Sequence, residues 1–151
     1  MTLWDHAISI AKIGRGVPYW KGSTITVSVD MPSSPVALVT VGNIGIDSFN
    51  ETFLTMENRA GSIDADFINS EKDFIRDKFT VINPDAPSEW GNATLQLQGV
   101  TKASEIWRHC RYYLSTTQNL TRVVNISMHL DAIAFTVGDV INVQHDVPMW
   151  G

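Results

Sequence analysis

The residues best suited to nucleophilic catalysis are His109 and Cys110, which are adjacent in the sequence. Both fall in a predicted helix, where neighbouring side chains point in different directions, so the imidazole cannot activate the thiol. A reactive cysteine also needs exposure and a lowered pKa, whereas Cys110 lies on the apolar face of that helix. We predict a buried structural thiol. With one cysteine, the chain can form no internal disulfide and no multi-cysteine zinc site.

Acid–base and metal chemistry have equally little support. His145 and Asp146 are adjacent at a predicted strand end, where successive side chains point to opposite faces, and no Gly-x-Ser-x-Gly motif occurs. The four histidines lack metal-ligand spacing. The acidic stretch from Asp64 to Asp73 lacks the glycine and the final acid of an EF-hand loop, and we interpret it as a solvated strand edge. We therefore predict no catalytic, cofactor-binding or metal-binding residue.

Two tryptophans are candidates for an interface. The chain has five tryptophans, and helical periodicity assigns Trp107 to the core. Trp90 lies in a proline-containing loop, and Trp150 lies next to the last residue. Because exposed tryptophans commonly anchor contacts, we predict that Trp90 and Trp150 belong to an interface. Stacking of sugars on these rings is a second interpretation.

Composition describes an ordinary folded chain with an acidic surface. Of the 151 residues, 44% are hydrophobic and 18% are charged, which is enough for a core in one domain or two small ones. The net charge of -5 argues against sequence-specific nucleic-acid binding, because phosphate contacts need clustered Lys and Arg. No apolar run is long enough for membrane insertion, and no signal peptide precedes Thr2. The apolar stretch Val147-Pro148-Met149 near the end suggests a piece of a longer protein.

Two amphipathic helices and at least seven short strands are predicted. The first helix covers 2–13 with Thr2 as its N-cap, and Thr101 can cap the second helix. The apolar face of the second helix contains Ala103, Ile106, Trp107, Cys110 and Leu114. The predicted strands cover 17–20, 24–29, 36–41, 49–56, 63–68, 79–82, 94–98, 124–130 and 140–144.

The predicted fold class is α+β, mainly antiparallel, with a curved sheet or small barrel. A hairpin joins 17–20 to 24–29, and a second pair is predicted between 49–56 and 63–68. We expect residues 1–151 to form one compact piece of the longer protein. A sub-division into 1–92, with the first helix and several strands, and 93–151, a strand-helix-strand segment, is also compatible with the pattern.

The end of the chain is similar to a known family. The segment 138–151, Gly-Asp-Val-Ile-Asn-Val-Gln-His-Asp-Val-Pro-Met-Trp-Gly, resembles a stretch of the host-specificity (J-like) tail-tip proteins of long-tailed phages. It also resembles related tail proteins of prophages and gene transfer agents. The likeness continues upstream, in the same order, in Leu120-Thr121-Arg122, in Gln98-Gly99-Val100-Thr101 and in 10–18.

The resemblance implies a baseplate hub region: β-rich domains that form a closed ring at the end of the tail tube and act in tail assembly and host attachment. It implies a non-enzymatic homotrimer without a cofactor, made in the host cytoplasm and incorporated into the tail tip of the virion. Other tail-tip and tail-tube proteins would be its partners. A carbohydrate- or receptor-binding β module would instead show exposed aromatics over a groove. A tail-associated hydrolase would show a carboxylate pair with a raised pKa in a cleft.

Overall fold

A computed structural model of the chain describes residues 2–55, 59–97 and 99–148. It contains two α-helices, α1 (Leu3–Ile13) and α2 (Ala103–Asn119). The strands are β1 (Gly16–Lys21), β2 (Thr24–Val29), β3 (Ala37–Val39), β4 (Asn50–Phe53), β5 (Ala60–Asn69), β6 (Ile75–Ile82), β7 (Gly91–Gln96), β8 (Arg122–Asn125) and β9 (Ile141–Val143). The predicted α+β class is confirmed. Within the described residues the strands form three two-stranded sheets and one three-stranded sheet, all open, so no barrel closes.

The chain forms two compact units, and neither is continuous in sequence. Unit 1 consists of Met1–Ile13 and Phe53–Val123, and unit 2 consists of Gly14–Thr52 and Val124–Gly151. These boundaries differ from a division into 1–92 and 93–151. The reason is long-range pairing, because β3 near the start of the chain forms a parallel pair with β9 near its end.

A three-stranded sheet and α2 form the core of unit 1. The central strand β5 pairs antiparallel with β6 and parallel with β7. One side of β5 packs against α2, and the alternation of buried residues along the strand is the period of two expected for a sheet covered on one face. The fully buried side chains include Ile63 and Ala65 on β5, and Ile106, Cys110 and Leu114 on α2.

The predicted start of α1 is confirmed, and that of α2 is wrong. The Thr2 hydroxyl accepts a hydrogen bond from the Asp5 backbone N–H at 3.2 Å, and the Asp5 carboxylate accepts one from the Thr2 N–H at 2.6 Å. This reciprocal capping box satisfies two groups at the helix start and lowers the pKa of Asp5. Thr101 does not cap α2: the N-cap is Lys102, without a side-chain hydrogen bond, and the Thr101 carbonyl accepts from Ser70 instead.

Trp107 is not a core residue, contrary to the helical pattern. Its side chain is 47% exposed, and the Arg111 guanidinium lies 5.9 Å from its ring centroid. The buried residues of α2 recur every four positions, starting from Ile106, so they form a narrow stripe. A residue one position further along is rotated by about 100° and leaves that stripe. Helical periodicity therefore located the apolar face and overestimated its width.

Two predicted strand arrangements are also wrong. Residues 49–56 and 63–68 do not pair with each other, since β4 pairs with β8 while β5 lies between β6 and β7. The alternating stretch 124–130 is a strand only in its first part, because β8 ends at Asn125 and a 3-10 helix covers Leu130–Ala134. In both cases a distant partner determines the pairing. Local alternation of apolar residues cannot specify that partner.

Candidate interaction surfaces

The environments of Cys110 and His145 are structural rather than those of a nucleophile and its base. Cys110 is fully buried, as predicted, and burial raises the pKa of its thiol, which is the opposite of what a nucleophile requires. The His145 ring stacks on Phe49, with centroids 4.1 Å apart, and His145 Nδ1 accepts the backbone N–H of Val147. Within residues 2–55, 59–97 and 99–148, no group of three or more His, Cys, Asp or Glu could hold a metal ion.

A polar network covers the face of the three-stranded sheet that points away from α2. The Asp64 carboxylate accepts hydrogen bonds from the Thr80 hydroxyl at 2.6 Å and the Asn92 amide at 2.9 Å, and Lys78 Nζ lies 2.9 Å away. These contacts lower the pKa of Asp64 to about 2 and raise that of Lys78. Because β5 pairs with β6 on one side and β7 on the other, its acidic residues lie on a central strand. This corrects the interpretation of the acidic stretch as a strand edge. The lowered pKa keeps Asp64 ionised at neutral pH, whereas a general acid needs a raised pKa.

Replacing Asp64 with Asn should lower stability at neutral pH and have little effect near pH 2. In the folded chain the pKa of Asp64 is about 2, against 3.8 as the ordinary value. A lowered pKa means that the carboxylate stabilises the fold above pH 3.8 and loses this contribution as pH falls through about 2. Thermal midpoints of both proteins at pH 7, 4 and 2 test this. Asp66→Asn, on the same strand face, is the matched control, and an equal loss at all three pH values would contradict the assignment.

A cavity of about 340 Å³ lies at one end of this sheet face. Its lining combines the charged side chains of Asp66 and Arg76 with the aromatic ring of Phe74, which is 66% exposed. Phe74 follows Asp73 in a tight turn, and both have positive φ, at 59° and 51°. Bulky residues rarely adopt this conformation, so the turn carries backbone strain. It places the Phe74 ring at the rim of the cavity.

Trp90 is half-buried against its own unit, and Trp150 lies outside the described residues. The Arg59 guanidinium is 5.3 Å from the centroid of the Trp90 ring. The backbone of Gly61 also approaches closely, since a Cβ there would lie 3.3 Å from the Trp90 Cβ. Among the described residues the Trp90 Nε1 and Arg59 Nε groups are buried without an acceptor. Trp90 therefore has an internal packing role, and its part in an interface stays a prediction.

Unit 2 exposes an unusual amount of apolar surface. Fifteen of the twenty-six exposed large apolar side chains in the described residues belong to it, although it is the smaller unit. Its buried apolar side chains there are Val39 and Ile44, whereas nine are buried in unit 1. Fully burying one Val or Ile contributes about 1.5–3 kcal/mol, so half-exposed side chains leave a substantial part of this stabilisation unrealised. Where exposed apolar side chains lie next to one another, they are typical of surfaces that another polypeptide covers.

The β1–β2 hairpin carries the most regular part of this surface. The register pairs Trp20 with Ile25, Pro18 with Val27, and Gly16 with Val29, which places their side chains on one face. Trp20, Ile25, Val27 and Val29 are 61%, 50%, 51% and 49% exposed, and we call these four side chains the hairpin face. The sequence predicted the hairpin and its alternation. It contained no signal that these four side chains are half-exposed while Gly16 and Pro18, on the same face, are buried.

Comparison with known proteins agrees with this picture of an assembly protein. The family described as "Putative phage tail protein" matches residues 9–151, which is nearly the whole chain. The chain belongs to this family of phage tail proteins. Membership confirms the family resemblance of the sequence and supports a structural role in a phage tail.

Individual relatives are longer than this chain. The tip attachment protein J of Escherichia phage SECphi27 is 27% identical over 134 residues, which cover 87% of this chain and 11% of that protein. The tail protein from Neisseria meningitidis MC58 has a similar fold, with a TM-score of 0.66 and 16% identity over 97% of this chain and 46% of its own. A chain in the virion of a native gene transfer agent has a TM-score of 0.62 and 13% identity, covering 76% of this chain and 27% of its own.

The helices of the described residues do not include one that is both long and apolar enough to cross a membrane.

Three carboxyl groups have a clearly changed pKa, and in each the pKa is lowered: Asp5, Asp64 and Asp77. A glycosidase acid would need an upward shift. The described residues thus offer surfaces for neighbours more clearly than they offer groups for catalysis.

Proposed function

We propose that this chain is part of the baseplate hub of a phage or prophage tail tip, and that it acts in tail assembly and host attachment. In this proposal the full-length protein is a homotrimer, its region represented here is non-enzymatic, and it contacts other tail-tip and tail-tube proteins. It has no sequence-specific nucleic-acid partner. Trp90 and Trp150 contribute to contacts with neighbouring chains.

The exposed apolar surface of unit 2 is the observation that supports this proposal best. A free chain with so many uncovered apolar side chains would tend to aggregate, whereas a ring of subunits would bury them. Unit 2 also has few charges to oppose such contacts, with Arg15 and Lys21 as its basic residues and six acidic residues. The similarity to a protein named for tip attachment favours the distal end of the tail over the tube.

Immunogold electron microscopy of induced particles tests the location. Antibody raised to this chain should place gold at the distal end of intact tails, and particles lacking the gene are the control for specificity. Well-preserved tails without label, with the antigen in the particle-free fraction, would contradict the hub proposal. Cross-linking of the full-length protein in purified tails should give species up to three protomers and no larger homotypic species.

The cavity rimmed by Phe74 favours one alternative, a carbohydrate-binding surface. An exposed aromatic ring beside Asp66 and Arg76 combines a stacking platform with polar groups that could bond sugar hydroxyls. A glycan array of the purified chain distinguishes this function from a purely structural one. Binding that is lost in Phe74→Ala would support the alternative, and an array without signal would reject it.

A further inference from the structure

Three polar side chains line the cavity beside Phe74 and lack partners among the described residues. The register of the sheet places Gln96 of β7 directly beside Asp66 of β5. Arg76 of β6 lies opposite Ile68, the next β5 residue on that face. All three polar side chains line the cavity, and no hydrogen bond or ion pair to another described residue engages them. The cavity therefore offers a carboxylate acceptor next to two groups that donate.

The neighbouring ion pair leaves Asp66 and Arg76 available to a ligand. Lys78 lies opposite Asp66 in the register, but its Nζ is 2.9 Å from the Asp64 carboxylate. That carboxylate accepts two further hydrogen bonds from the sheet, so it is already satisfied. An aspartate can only accept and an arginine can only donate. A ligand group that both donates and accepts would satisfy the two together.

The wall that carries Phe74 is held in place by the fold itself. The Asn69 carbonyl accepts the Phe74 N–H at 2.9 Å, and the buried Asn69 side chain makes two further hydrogen bonds. The N–H and hydroxyl of Ser70 both donate to the Thr101 carbonyl, which joins the strained turn to another wall of the cavity. Strained backbone that its surroundings hold in this way is common at ligand sites. The exposed ring therefore needs little ordering when a ligand binds.

We propose that this cavity binds a neutral sugar through two adjacent hydroxyl groups. Each hydroxyl can donate to Asp66 and accept from Arg76 or Gln96 at the same time, because a hydroxyl is both donor and acceptor. The C–H groups of the sugar ring pack on the exposed face of Phe74. The proposal rests on the carbohydrate-binding alternative above, and it adds the chemical class of the sugar and the part of each side chain.

Charge and size select this class of ligand. A carboxylate on the ligand would lie beside Asp66 as well as Arg76, and the net charge of -5 repels acidic polymers as they approach. A purely apolar ligand would remove water from both ions without replacing their hydrogen bonds. The volume of about 340 Å³ is near the lower end of the range for ligand sites, roughly 300–1,000 Å³, and suits a short saccharide.

Protein-observed NMR of the purified, isotope-labelled chain tests the site and the class of sugar. The neutral probes are the methyl glycosides of glucose, galactose and mannose, and each is paired with its uronic acid, which differs only in a carboxylate. At least one neutral probe should shift the amide signals of 66–68, 74–76 and 99–101, with a dissociation constant of about 1–10 mM. Its uronic acid should bind at least about threefold more weakly, because like charges repel at this distance.

Asp66→Asn tests the part of the carboxylate. It should weaken binding of the neutral probe at least about fivefold, because hydrogen bonds to an ionised acceptor are about twice as strong as neutral ones. It should also reduce the preference for the neutral probe over its uronic acid. Asp85→Asn is the matched control, since it removes the same charge from an exposed loop residue that does not line the cavity. Phe74→Leu keeps an apolar side chain, removes the flat ring and should weaken both probes alike.

Three results would overturn the proposal: no shifts in these segments with any neutral probe up to about 50 mM, tighter binding of the uronic acids, or unchanged affinity in Asp66→Asn. Shifts confined to another surface would reject this cavity and leave the carbohydrate-binding alternative supported. The position of gold on the tail depends on neither result. Failure of the sugar site and failure of the hub proposal can therefore be distinguished.

Discussion

Replacing Ile106 with Ala is expected to lower the free energy of unfolding of unit 1 by about 2–5 kcal/mol. Ile106 is fully buried in α2 and belongs to the cluster that joins the helix to β5 and β6. The variant loses the free energy gained by burying the methylene and methyl groups that are removed. It also contains a cavity that the surrounding packed core cannot fully close. Urea denaturation followed by far-ultraviolet circular dichroism measures the loss.

The neighbouring residue provides a direct control. Trp107→Ala removes a larger side chain from the same helix, but that side chain is half-exposed and its ring lies beside the Arg111 guanidinium. We expect a loss of about 1 kcal/mol, in the range of an exposed cation–π contact with some packing. If Trp107→Ala destabilised more than Ile106→Ala, the orientation of α2 described above would be wrong.

Replacing Gly138 with Ala is expected to destabilise unit 2 by about 2–4 kcal/mol. Gly138 has a φ of 96°, which side chains rarely adopt, and an added Cβ would collide with the Ser28 hydroxyl and lie 2.9 Å from the Ser28 Cβ. Both Gly138 and Ser28 belong to unit 2, so its turn and hairpin would have to separate. Amide hydrogen exchange, resolved by segment, should show faster exchange in 16–29 and 136–143.

Gly91→Ala is the matched substitution for that measurement. Gly91 lies at the start of β7, its φ is not positive, and nothing lies within 4 Å of an added Cβ. Alanine there should change stability by less than about 1 kcal/mol. The added Cβ meets no other atom, and its main effect is to reduce the conformational entropy of the unfolded chain. Equal losses in both variants would show that strain at Gly138 is not the cause.

The parts of this fold that could be predicted from sequence are those with local causes. Thr2 and Asp5 form a capping box within one helical turn, and the hairpin from β1 to β2 needs only a two-residue turn. The partners of β5 could not be predicted, since β7 lies beyond a loop and β6 begins after an unusual left-handed turn at Asp73. Pairing over such distances depends on the whole core rather than on a local pattern.

The exposure of apolar side chains could not be predicted from the sequence either. Alternation of Ile25, Val27 and Val29 predicts that these side chains share a face, and the structure agrees. The alternation does not show whether anything covers that face. The same pattern of apolar residues occurs whether the covering surface belongs to the same chain or to another. The candidate interface therefore differs from the sequence prediction, which relied on tryptophan as a residue type and selected Trp90 and Trp150.

The discontinuity of unit 2 has a consequence for how such proteins diversify. The chain leaves unit 2 near Phe53 and returns near Val123, and at these two points the Leu54 N–H donates to the Thr121 carbonyl at 3.0 Å. Entry and exit are thus side by side, which is the geometry that tolerates domain insertion. A module inserted at this junction in place of 53–123 would also have to accommodate α1, because α1 belongs to unit 1 and Ile13 packs against the core of that unit.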